Sequence, residues 1–161
     1  MRPKRNAILV SLAIVWLLAG CASVRPYQES YPKNLSFSSP GLEGSFFWSR
    51  EVSLHLFFDE DDCDLAYQGS VVLSPGDGPG EIGLPTDREV YARIWAHDRN
   101  WFQNRTKTRS DEFRLSPRKD HRYDVQYTSR RKMYGRKIEE THLRTGRTRA
   151  LRPDGWGDCA S

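Results

Sequence analysis

Few residues in this 161-residue chain have the types and spacing that chemistry needs. Four histidines, His55, His97, His121 and His142, are spread along it. None has the i,i+4 partner of a helical zinc site, and no Cys-x-x-Cys occurs, so they read as surface or strand-edge histidines. The run Asp59-Glu60-Asp61-Asp62-Cys63-Asp64 carries enough oxygen for a calcium turn. It lacks the central glycine and distal glutamate of an EF-hand loop, so a solvated acidic turn with no metal is expected. Cys63 sits among those acids, whose negative charge disfavours a thiolate nucleophile. There is no Gly-x-Ser-x-Gly elbow, and the glycine-rich Ser74–Gly80 segment has no lysine to hold a phosphate. Glu139 and Glu140 are neighbours on an expected strand and point to opposite faces, which is wrong for shared acid–base work. The expectation is a protein that is not an enzyme and needs no cofactor.

One stretch has the composition of a recognition surface. Arg99 and Arg105 bracket Trp101 and Phe102 in a polar segment, and arginines and aromatics dominate binding hot spots. The competing expectation is that Trp101 or Phe102 plugs the end of the core. Arg130-Arg131-Lys132 forms a basic hairpin tip, either solvated or touching phosphates or an acidic partner.

The elements that position these residues have a period of two. Val52, Leu54, Leu56 and Phe58 alternate with polar neighbours, as do Leu65, Tyr67, Gly69, Val71 and Leu73. Ile82 and Leu84 mark a short strand. Val90, Ala92, Ile94 and Ala96 face one way, and Tyr91, Arg93 and Trp95 the other. A polar stretch over 97–111 precedes a short strand at Phe113 and Leu115. Tyr123, Val125 and Tyr127 pair through a hairpin with Met133–His142, where Tyr134 and Ile138 are the inward residues. The tail from Thr145 reads as irregular. No segment has a sustained helical period. Six or seven short strands predict an all-β protein, a single antiparallel β-sandwich of immunoglobulin-like or transthyretin-like kind, with a small barrel as the alternative.

The N-terminus supplies an address. Arg2, Lys4 and Arg5 precede an apolar run from Ala7 to Leu18, which is too short to span a hydrocarbon core of roughly 20 residues. Leu18-Ala19-Gly20-Cys21 follows directly. In these features the chain resembles bacterial lipoproteins with a lipobox. The resemblance covers about the first 21 residues. It implies cleavage before Cys21 and acylation of that cysteine with chains such as palmitate. Two or more chains hold a protein on a membrane stably where one is marginal. Ala22 stands where members retained on the inner membrane carry aspartate, which implies an outer-membrane anchor facing the periplasm.

The expected organisation is a signal peptide over 1–20, a lipidated cysteine and flexible tether over 21–44, and a periplasmic β-sandwich over 45–161. Three of the 25 basic residues fall in residues 1–20, so the mature chain balances 22 against 21 acidic residues. That near-neutrality removes the case for nucleic acid as a partner. The charge is nonetheless bipolar, with acids concentrated before Arg99 and bases after it. In the oxidising periplasm Cys63 and Cys159 most simply pair, the alternative being two free thiols. The expected function is a non-enzymatic interaction or scaffolding module with an envelope protein partner, held to the membrane through its lipid. The alternative is a ligand-binding lipoprotein for a glycan, lipid or peptidoglycan fragment, with Tyr91, Arg93 and Trp95 lining the site if their face is open.

Overall fold

The computed structural model describes residues 25–28, 30–44, 48–60, 63–100, 102–130 and 133–159. Within them the protein is nearly all β, its one helical piece a 3-10 turn at Gly157–Cys159. The strands are β1 (Lys33–Ser38), β2 (Trp48–Asp59), β3 (Leu65–Leu73), β4 (Gly80–Gly83), β5 (Val90–Asn100), β6 (Arg105–Leu115), β7 (His121–Arg130), β8 (Met133–His142) and β9 (Thr148–Leu151). They form two sheets, a five-stranded β4-β1-β7-β8-β9 and a four-stranded β3-β2-β5-β6.

One core joins the sheets. Leu54, Leu56, Ile94 and Phe113 of the four-stranded sheet share a buried cluster with Phe37, Tyr123, Val125 and Ile138 of the five-stranded one. Each large apolar side chain removed from water contributes about 1.5–3 kcal/mol. The expected alternation holds on β5, where Val90, Ala92, Ile94 and Ala96 all face that core.

Four expectations need correction. The flexible tether placed over 21–44 contains β1, whose Leu35 and Phe37 are core residues. Two apolar residues among serines are too short a pattern to stand out, yet Phe37 is wholly buried. The strand β1 also runs parallel to β7, Leu35 opposite Tyr123, so the five-stranded sheet is not purely antiparallel. No hairpin fixes the polarity of strands so distant in sequence. The polar stretch over 97–111 is mostly the β5–β6 hairpin, paired in register from Val90↔Leu115 to Asn100↔Arg105. Residues 105–110 are exposed throughout, so no burial imposes an alternation on them. The tail from Thr145 contributes β9, with Ile138 opposite Leu151.

The chain before β1 is also fastened. Tyr27 donates its N–H to the Ser70 carbonyl at 3.0 Å, and Ser70 donates to the Arg25 carbonyl at 2.9 Å. This close approach requires Gly69, at φ +133°, because a Cβ there would lie 2.6 Å from the Tyr27 Cα.

Candidate functional site

Of the predicted site residues, Cys21 and Trp101 lie outside the described part of the chain. Cys63 and Cys159 form a disulfide, with Cα atoms 5.0 Å apart. The Asp59 carboxylate caps the turn before that bridge by accepting the Cys63 N–H at 3.1 Å, so part of the acidic run serves the turn itself. Asp61 and Asp62 lie outside the described residues, as do Arg131 and Lys132 at the other hairpin tip.

Arg99, Phe102 and Arg105 sit together at the β5–β6 hairpin. Asn100 opposes Arg105 at the last rung, and the Asn100 side chain accepts the Gln103 N–H at 3.0 Å to shape the turn. Phe102 is 85% exposed, so it does not plug the core. Both arginines are exposed.

The Tyr91–Arg93–Trp95 face is the outer surface of the four-stranded sheet, and among the described residues no second sheet covers it. The C-terminal tail does so in part. Trp156 lies over Tyr91 and Phe57 and donates its indole N–H to the Ala92 carbonyl at 3.1 Å. The Arg93 guanidinium stacks 4.3 Å from the Trp156 ring and hydrogen-bonds Glu112 at 2.7 Å. Tyr91 is therefore buried, while Trp95 remains partly exposed. Beside it His55 is only 6% exposed, unlike the expected surface histidine. Its ring nitrogens meet Ser53 Oγ at 2.9 Å and Tyr67 Oη at 3.3 Å. Burial, with the neighbouring His97 and Arg93 charges, pushes the imidazole below its ordinary value.

A site that sequence reasoning missed lies at the end of the domain where β7 begins and β8 ends. There the inner face of the five-stranded sheet carries polar residues on the positions that bury apolar ones further along. His121 precedes Tyr123 by two residues, Glu140 and His142 follow Ile138 by two and four, and Arg149 precedes Leu151 by two. Period two therefore puts all four on the core side. These side chains line a cleft of about 460 Å3 with Arg118 and Arg147. The signal was in the sequence: extending the alternation of β7 and β8 outward names His121, Glu140 and His142.

The cleft is built on a hydrogen-bonded chain. The Arg118 N–H donates to Tyr123 Oη at 3.0 Å, and that hydroxyl donates to the Glu140 carboxylate at 2.9 Å. Arg149 closes the chain by donating to the other Glu140 oxygen. Burial pushes the Tyr123 phenol up to about 12, aided by the bond to Glu140. Burial alone would raise the Glu140 carboxyl, but the Arg149 and Tyr123 hydrogen bonds outweigh it and hold the group below its ordinary range.

The two histidine rings pack edge to face, 4.8 Å between centroids. His121 Nδ1 lies 2.8 Å from the Lys119 carbonyl, which only accepts, so Nδ1 carries a proton. His142 Nδ1 meets the Thr145 hydroxyl at 2.9 Å and the Thr145 backbone N–H at 3.2 Å. The β8–β9 turn is held by Gly146 donating to the His142 carbonyl at 2.8 Å, with Gly146 left-handed at φ +67°. A neighbouring hollow of about 170 Å3 shares Arg118, Glu140 and Arg149 and adds Arg114 and Arg152.

Among the described residues no group of three His, Cys, Asp or Glu is placed to hold a metal ion, and no helix is long and apolar enough to cross a membrane. The cleft is lined by three arginines and two histidines around the Glu140 carboxylate. Compared with protein-family models, curated proteins and solved structures, the chain matches none.

Proposed function

We propose that this chain is a lipoprotein anchored through Cys21 to the outer membrane, facing the periplasm, and that its β domain is a non-enzymatic interaction module for an envelope protein. The observation that carries the interaction reading is Phe102, a large aromatic held 85% exposed at a hairpin tip and flanked by Arg99 and Arg105. A tip of that composition suits the aromatic and arginine anchors of a protein contact. It lies at the end of the sheet opposite the start of β3. Pro26 pairs in parallel with Ser70 of β3.

We read the two sheets as a β-sandwich of immunoglobulin-like or transthyretin-like kind. Its support is the single core between the sheets and the absence, among the described residues, of strand pairing that closes them into a barrel.

The test is crosslinking in intact cells, purification of the protein from the membrane fraction and mass spectrometry of what accompanies it. One dominant envelope protein, lost in the Phe102→Ala variant and retained in Lys137→Ala, is the expected result. No enriched partner, or one indifferent to Phe102, overturns the module. The same preparation tests the anchor, because the N-terminal peptide must begin at Cys21 and carry the acyl mass.

A further inference from the structure

We propose that the cleft between β7, β8 and β9 is a binding site for a phosphate group, held by Arg118 and Arg147. Three arginines, Arg118, Arg147 and Arg149, line it against one acid, Glu140. Arg149 is committed to Glu140, so that pair cancels locally. Arg118 and Arg147 are exposed, and among the described residues neither has an acidic partner within ion-pair distance. Two arginines without an acidic partner thus line one concave space and remain available to an anion. Their planar forks match the oxygens of a phosphate better than a point charge does.

The scaffold is preorganised. Arg118 is fixed by its backbone bond to Tyr123, and the Arg147 carbonyl accepts the His142 N–H at 2.9 Å across the turn. Thr145 and Thr148 complete the lining, their hydroxyls bonded to His142 Nδ1 at 2.9 Å and to Thr141 Oγ1 at 2.9 Å. A space of about 460 Å3 exceeds a bare phosphate, so the ligand is a phosphate carried on a larger body. Arg114 and Arg152 in the adjoining hollow extend the cationic surface for that body or for a second anionic group. Arg114 is already engaged, 3.6 Å from Glu89, which leaves Arg152 as the stronger contributor there.

Phosphate in the envelope comes from lipid headgroups or from soluble phosphorylated compounds. The headgroup source rests on the anchor reading. The phosphate site itself does not depend on that reading.

The experiment is calorimetric titration of the full chain, solubilised in a neutral detergent, with two probes. One is inorganic pyrophosphate, and the other is dihexanoyl-phosphatidylglycerol below its micelle concentration. Saturable binding of either probe, weakened roughly ten-fold or more in both Arg118→Ala and Arg147→Ala, is the expected result. Both side chains are exposed, so the melting temperature of each variant should match the parent and separate lost binding from lost fold. Binding of the lipid alone assigns the headgroup source, and binding of pyrophosphate assigns the soluble one. Absence of binding by both probes, or binding that survives Arg118→Ala together with Arg147→Ala, overturns the proposal.

Discussion

Replacing both Cys63 and Cys159 by serine should destabilise the protein by roughly 4–5 kcal/mol without altering its native surface. The bridge joins residues 96 apart in sequence. In the chain-entropy account, a crosslink closing a loop of that size removes about 4.7 kcal/mol of denatured-state freedom at 25 °C. The native side decides whether that figure is realised. The tail has its own fastenings: the Trp156 indole on the Ala92 carbonyl, Arg93 stacked on Trp156, and the Arg114 N–H on the Asp154 carbonyl at 3.0 Å. Trp156 is only 6% exposed, so its burial holds the tail whether or not the sulfurs are joined. The loss should therefore fall on the unfolded ensemble, which expands when the crosslink is removed. Equilibrium urea unfolding followed by tryptophan fluorescence and far-UV circular dichroism measures it. The expected outcome is a lower midpoint, a steeper urea dependence because more surface is exposed on unfolding, and an unchanged native emission spectrum. Typical domains hold only about 5–15 kcal/mol in total, so the variant should fold but sit near the edge of stability. A loss below about 1 kcal/mol would refute the entropic account. A shifted native spectrum would refute the independent docking of the tail.

Three further outcomes follow from the same contacts. His55, lowered from 6.5 by burial and by the His97 and Arg93 charges, takes up a proton more readily when unfolded than when folded. Its contribution is thus complete above about pH 6.5 and is lost as the pH falls below that, which His55→Gln should flatten in a pH series of thermal melts. Tyr123→Phe removes the hydroxyl linking Arg118 and Glu140 and should cost about 1–3 kcal/mol, since a buried carboxylate loses one of its two donors. It should also shift acid unfolding upward, because Glu140 then has one fewer bond resisting protonation, and an unchanged acid midpoint would count against the network. Gly69→Ala brings a Cβ within 2.6 Å of the Tyr27 Cα at a positive φ and should cost about 1–3 kcal/mol. Hydrogen exchange should then show faster exchange at the Tyr27 and Ser70 amides; retained protection at both would contradict the docking of that segment.

Much of the strand framework was legible because one face of each strand is buried. Burial imposes period two, and Val90, Ala92, Ile94 and Ala96 display it without ambiguity. Legibility failed where that constraint lapsed. Residues 105–110 form a strand exposed on both faces, and β1 offers only Leu35 and Phe37 to be recognised. The cleft was missed for a related reason. His121, Glu140 and His142 occupy core-side positions beyond the covered part of the sheet, so their polarity looked like the end of a pattern rather than its continuation.

By itself the sequence determined the all-β class and the facing of the central strands, because each depends on local alternation, while the Cys63–Cys159 bridge, expected beside the alternative of two free thiols, is shown by the structure. Only the tertiary structure decided that Phe102 is exposed, that Trp156 covers Tyr91, and that Arg118, Arg147 and Arg149 meet in one cleft. Those facts depend on which strand edges and loops are brought together across two sheets. Such long-range proximity is set by the closure of the whole core, and no local spacing encodes it.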